Sequence, residues 1–214
     1  MSNDLILMQR EGACLTVLIN RRDKANSLTP DMLVQLREAF EDAKGDESLR
    51  AVIITGAGGR VFCAGADLDT LYDESNGEDL WAEMSEALCS IPILTIAAIN
   101  GPCMGGGLTL ALGCDIRVGV PEARFSYPVL KNNVLPGQYD VNRLRDLIGP
   151  GRSAVILLGG SAVSSEDALA WGLVDRLTTR DALEETCRDF CAIAAQSNAS
   201  HLKTLKSMLK GRSS

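Results

Sequence analysis

The chain has 214 residues, 46 % of them apolar, 23 % charged and only 4 % aromatic, with a net charge of −7. This length suits one domain of moderate size whose core is built from Leu, Ile, Val and Ala. The negative balance argues against nucleic acid, which calls for clustered Lys and Arg, and no apolar run approaches the ~18 residues that span a bilayer.

The N-terminus, Met-Ser-Asn-Asp-Leu5, has neither the basic start nor the apolar core of a signal peptide. The seven cysteines are odd in number and include no C-x-x-C pair, and His201 is the sole histidine. Reduced, buried thiols in a cytoplasmic protein are expected, with no metal site.

Leu15 to Ile19 is a short β-branched run and reads as a strand. A polar loop follows from Arg21 to Ser27. Thr29 then offers an N-cap with Pro30 at the first helical position, Leu33, Leu36, Phe40 and Ala43 recur at helical spacing, and Gly45 closes the segment. Ala51 to Thr55 is a continuous apolar strand of the kind buried on both faces. Gly56 to Gly59 turns it, and Val61-Phe-Cys63 is extended again. Residues 78–90 read as a helix, and Leu94 to Ile99 as the next buried strand. That strand runs into Asn100-Gly-Pro102 and the triplet Gly105-Gly-Gly107, at the start of a helix through Leu112. Asp115 to Val120 is a further strand. Beyond residue 140 the pattern is mostly helical: Ser164 and Asp167 form a capping box closed by Gly172, residues 181–195 carry one apolar stripe, and His201 to Lys210 is a short basic amphipathic helix.

Two glycine-containing turns therefore follow two buried strands, Cys63-Ala-Gly-Ala-Asp-Leu68 and the Gly105 triplet. Small residues let a ligand approach bare backbone N–H groups, and two such groups converging on one oxygen would stabilise an oxyanion. The P-loop and dinucleotide-binding glycine patterns are absent at these junctions.

Taken in order, these segments resemble the crotonase, or enoyl-CoA hydratase/isomerase, superfamily. Val61-Phe-Cys-Ala-Gly-Ala-Asp-Leu68 is similar to its first oxyanion-hole segment and Asn100-Gly-Pro-Cys-Met-Gly-Gly-Gly-Leu108 to its second. Arg21 to Pro30 resembles the loop that carries the nucleotide end of coenzyme A. Ala111 to Arg117, Leu135-Pro-Gly137 and Ala168 to Asp175 match further downstream, so the resemblance covers roughly residues 5–195.

The resemblance implies an α/β fold, the Clp-protease/crotonase-like spiral of ββα repeats with a helical C-terminal part, shortened at the C-terminus. It implies a core domain over 1–195, a short helical tail over 196–214 and a trimer or hexamer. It places the oxyanion hole at the N–H groups of Ala66 and Gly106. Lys24 and Ala25 would lie along the pantetheine and phosphates, the main chain of Ala64, Ala66 and Leu68 at the adenine, and Gly105, Thr109, Val129 and Gly137 are expected as further substrate-binding residues. Asp67 is expected to be a turn and helix-cap residue. The substrate would be an acyl-CoA or acyl-carrier thioester, with coenzyme A entering as part of it and no separate cofactor.

The departures from the family pattern carry as much information. Hydratases of this superfamily place two glutamates where Thr109 and Val129 stand here, and neither of these is a carboxylate base. Asp140 and Tyr139, after Pro136-Gly137, are the first candidates to replace them; Asp69, Tyr72, Tyr127 and Lys131 are the others. An isomerase or a lyase/decarboxylase working through an enolate is expected. The alternatives are a hydratase with non-standard acid/base groups, a silent thioester-binding subunit, and a Ser-His-Asp hydrolase using His201.

Overall fold

The computed structural model describes residues 5–71 and 77–211; Tyr72 lies outside the described residues. Strands β1 (Ile6–Glu11) and β2 (Cys14–Ile19) form an antiparallel hairpin turned at Gly12, whose φ is 57°. β1 buries only Ile6 and holds its place by pairing, which explains its faint signal in the sequence. β2 alternates, burying Leu15, Val17 and Ile19.

A single 3₁₀ turn at Arg22–Lys24 leads to α1 (Pro30–Gly45), where Thr29 Oγ1 accepts from Met32 N–H at 3.4 Å. α1 ends at Gly45 as expected, but without a left-handed glycine, since the extended Asp46 caps it. β3 (Ala51–Gly56) is buried almost throughout. Val61 to Cys63 does not form a strand; it contributes one bridge, Cys63 to Cys103, with the N–H groups of Phe62 and Cys63 both donating to Pro102 O. α2 (Leu68–Leu71) and α3 (Gly77–Ser90) come next, and α3 packs along α1.

β4 (Leu94–Ile99) is followed by β5 (Cys103–Met104), α4 (Gly106–Gly113), β6 (Ile116–Gly119) and β7 (Arg124–Ser126). α5 (Gln138–Leu157) is two helices end to end, broken at Gly149 (φ 80°, ψ 163°) before Pro150. β8 (Val163–Ser164), α6 (Ser165–Trp171), β9 (Arg176–Leu177), α7 (Leu183–Gln196) and α8 (Ala199–Leu209) complete the chain. The predicted capping box is present, with Ser164 Oγ accepting from Asp167 N–H at 3.0 Å and Gly172 left-handed at φ 82°.

The large sheet runs β1-β2-β3-β4-β6-β9, parallel from β2 onward, and the small sheet β5-β7-β8. Parallel strands covered on both faces read as unbroken apolar runs, and Ile53, Ile54, Ile96, Ala97 and Val118 supply them. α8 is fastened to this sheet by the buried Lys206, whose Nζ donates to Ile93 O at 2.5 Å and pairs with Asp115 at 2.6 Å. All seven cysteines are free; five are buried as expected, whereas Cys14 and Cys89 are half-buried.

Candidate active site

The site grows from the approach of the turn after β3 to the start of α4. Gly65 has φ 99°, a conformation open to glycine. A β-carbon there would lie 3.0 Å from Met104 O and 3.2 Å from Gly106 N. A β-carbon on Gly107 would lie 2.5 Å from Cys63 O, and one on Gly106 would run into Cη2 of Trp81. The triplet is thus a close backbone approach on one side and a seat for an indole on the other.

The direction of the two N–H groups follows from the pairing. Leu28 bridges Ala66 in the parallel sense: Leu28 N–H donates to Gly65 O at 2.8 Å and Asp67 N–H donates to Leu28 O at 2.8 Å. In that arrangement the N–H of Ala66 itself points to the opposite side, away from Leu28. Gly106 is the first residue of α4, so its N–H is among those a helix leaves without an internal acceptor, at the positive end of the helix dipole.

The loop expected to hold the nucleotide is pinned to this turn. Ala25 and Asn26 are both left-handed, at φ 51° and 56°. Ala25 O accepts from Ala64 N–H at 3.1 Å, while Asn26 Nδ2 donates to Ala57 O at 3.1 Å and Val61 O at 2.9 Å. Ala64 therefore spends its N–H internally, leaving its carbonyl as the atom to meet a ligand donor. Asp67 Oδ1 accepts from Asp69 N–H at 3.1 Å, the cap role expected of it. Its other oxygen pairs with the Arg21 guanidinium, which holds the carboxyl below its usual range. Lys24 is exposed, 3.9 Å from Asp69.

One turn along α4 from Gly106, on the same side of the helix, Thr109 meets two residues distant in sequence. Thr109 Oγ1 donates to Asp140 Oδ2 at 2.6 Å, Tyr127 OH donates to the same oxygen at 2.7 Å, and the two hydroxyls are 2.9 Å apart. Each hydroxyl has one proton. With both protons aimed at Oδ2, the Thr109–Tyr127 contact carries none, and Asp140 Oδ1 is left buried without a hydrogen-bond partner among the described residues. Burial raises the Asp140 pKa; the two hydroxyl donors and Arg143 act against that rise. Burial and the neighbouring carboxyl push Tyr127 far up, so it stays a neutral donor.

Arg143, one turn after Asp140 on α5, lies 3.8 Å from the bare Oδ1. Its guanidinium donates to Ser85 Oγ on α3 at 2.7 Å and sits over the Tyr139 ring, 5.3 Å from the centroid. That ring rests against Gly137, where a β-carbon would strike it. Val129 is a buried apolar side chain. Lys131 and Asp69 are exposed, and so is His201 on α8.

The structure thus brings together Ala64, Gly65, Ala66, Gly105, Gly106, Thr109, Tyr127 and Asp140, with Lys24 and Ala25 on the adjoining loop. Sequence reasoning missed Trp81 and Arg143. The i, i+3 spacing from Asp140 was a usable signal for Arg143; nothing in the chain marks Trp81. Among the described residues, no group of three His, Cys, Asp or Glu side chains is placed to hold a metal, and no helix is long and apolar enough to cross a membrane.

Comparison with known proteins gives the same reading. The family described as Enoyl-CoA hydratase/isomerase matches residues 9–214. A probable enoyl-CoA hydratase, echA6, of Mycobacterium tuberculosis (strain CDC 1551 / Oshkosh) is 36 % identical over 175 residues, 82 % of this chain and 71 % of that protein. The short-chain-enoyl-CoA hydratase of Clostridium acetobutylicum is 30 % identical over 189 residues, covering 86 % and 72 %. The crystal structure of an enoyl-CoA hydratase/carnithine racemase from Magnetospirillum magneticum superposes with a TM-score of 0.91 at 33 % identity, over 98 % of this chain and 81 % of that one. With a spiral of this architecture and a family match over nearly its whole length, the chain belongs to the enoyl-CoA hydratase/isomerase family and has the crotonase fold.

Proposed function

We propose that the protein is an enoyl-CoA isomerase, moving a double bond along the acyl chain of a coenzyme A thioester through a single proton carrier. The observation that supports this most is Asp140: its Oδ1 is buried without a hydrogen-bond partner among the described residues, and Val129, where the family resemblance puts a second acid, is a buried apolar side chain.

The thioester oxygen sits between the N–H groups of Ala66 and Gly106. Asp140 Oδ1 takes the proton from C2 of a 3-enoyl thioester. The electron pair moves into the carbonyl, giving a dienolate whose oxyanion the two N–H groups hold; a donor of this kind contributes about 3–4 kcal/mol. Asp140 then returns the proton at C4, and the double bond ends between C2 and C3. Thr109 and Tyr127 hold the carboxyl by Oδ2, so Oδ1 swings little between the two carbons. The loop at Lys24 and Ala25 and the Ala64 carbonyl take the pantetheine and nucleotide.

Water addition is the second reading, and the relatives' names favour it. It needs one group to activate water and another to protonate C2, and Asp140 would have to serve as both. A panel of 2-enoyl-, 3-enoyl-, saturated and malonyl-CoA incubated in D₂O and read by mass spectrometry separates these. Interconversion of 2- and 3-enoyl thioesters without hydroxyacyl product supports the isomerase. Accumulation of 3-hydroxyacyl-CoA as the main product, or loss of CO₂ from malonyl-CoA alone, replaces it.

A further inference from the structure

The far end of the sheet from the active site carries a cluster of thiols that the reaction does not use. Cys14 opens β2, and Cys187 and Cys191 stand one turn apart on α7, which packs on the sheet. The sulfurs of Cys14 and Cys191 are 3.1 Å apart, although 177 positions separate the residues. Cys14 is half-exposed and Cys191 is 4 % exposed.

We infer that Cys14 and Cys191 form a reversible oxidation site, which hydrogen peroxide converts to a disulfide joining β2 to α7. A disulfide needs about 2.05 Å between sulfurs, so closure from 3.1 Å asks for an approach of about 1 Å, of the kind a side-chain rotation supplies.

The surroundings decide which sulfur reacts first. One thiol proton lies between the pair. The hydrogen bond shared with Cys191 and the Arg188 cation make Cys14 the thiol lowered from its ordinary range, while its partner is raised. Arg188 is fixed beside it by Glu11 at 2.6 Å and Glu184 at 2.7 Å, and Glu11 is the cross-strand partner of Cys14. The thiolate is the nucleophile. Cys14 attacks the peroxide oxygen; the O–O bond breaks, hydroxide leaves and takes a proton to become water, and Cys14 becomes a sulfenic acid. Cys191 sulfur then attacks the Cys14 sulfur and displaces its oxygen as a second water, with the Cys191 proton going to that oxygen. Two thiols and one peroxide give one disulfide and two waters. Cys187, fully buried, is a bystander; burial pushes its thiol up to about 12.

The cross-link ties the C-terminal helical part to the second strand, closing a loop over most of the chain. It therefore restrains α7 from lifting off the sheet, and a dithiol reductant releases it.

The test uses the full chain treated with hydrogen peroxide, quenched with an alkylating agent under denaturing conditions and mapped by mass spectrometry. Thiols titrating in the denatured protein fall from seven to five. A linked peptide pair containing Cys14 and Cys191 appears, and amides of α7 exchange more slowly; dithiothreitol reverses all three. Cys14→Ser or Cys191→Ser abolishes the linked pair, and Cys187→Ser leaves it. Thermal melts of the three variants in reductant confirm that each is folded before oxidation. The inference is overturned if folded protein keeps seven thiols, if Cys14 goes on to sulfinic acid without cross-linking, or if the linked pair is a different one.

Discussion

Asp140 receives two hydroxyl donors on one oxygen and, among the described residues, none on the other, which fixes the carboxyl and leaves Oδ1 open for the base role proposed for it. Replacing it by Asn keeps the shape and removes the base; turnover is expected to fall by about 10²–10⁴-fold, with coenzyme A binding unchanged in a titration. The same residue sets a pH dependence. Burial raises its folded pKa, so over that window the folded state keeps a proton the unfolded chain has released, and stability falls as pH rises through it. Asp140→Asn removes this slope: in thermal melts from acid to neutral pH, the variant gains on the parent as pH rises, and a constant difference contradicts the account. Gly106 is set by steric fit, since its missing β-carbon makes room for Trp81. Gly106→Ala is expected to cost about 1–3 kcal/mol by overpacking. Trp81→Leu in the same chain should recover part of that in a denaturant titration, and purely additive losses would show that the two do not touch.

At the scale of elements, the long buried strands β3 and β4 and helices α1, α3 and α7 are legible because their apolar periods are long and complete. The two-residue strands β5, β8 and β9 are not: a pair of residues has no period, and tertiary pairing alone makes them strands. β1 escapes because five of its six positions are not buried. The two glycine-containing turns are legible as small-residue runs after buried strands. The Asp140 triangle is legible only as three separate polar residues, since 13 and 31 positions separate Asp140 from Tyr127 and Thr109 and only folding shows that they meet. α8 belongs to this scale too, being held by Lys206 on Ile93 O and Asp115. Lys206→Ala is expected to cost about 1–3 kcal/mol and to speed amide exchange in α8 about tenfold or more, each 1.4 kcal/mol being a factor of ten. Equal acceleration in β3 and β4 would mean that α8 is not a separate unit.

Across the whole molecule, the large sheet delivers two turns to one place, and α4 and α5 deliver one acid beside them. Relatives of this fold carry hydratase names; under the proposed isomerase reading Asp140 alone is the proton carrier, and one carboxylate is sufficient for a proton to leave C2 and return at C4. The most direct test is conversion of a 3-enoyl-CoA to product in D₂O, followed by NMR of the product and repeated with Asp140→Asn. The account predicts a 2-enoyl thioester that retains part of the substrate's own proton at C4, because the buried carboxyl exchanges slowly with solvent, and it predicts loss of conversion in the variant. A 3-hydroxyacyl product, or undiminished conversion by the variant, would contradict it.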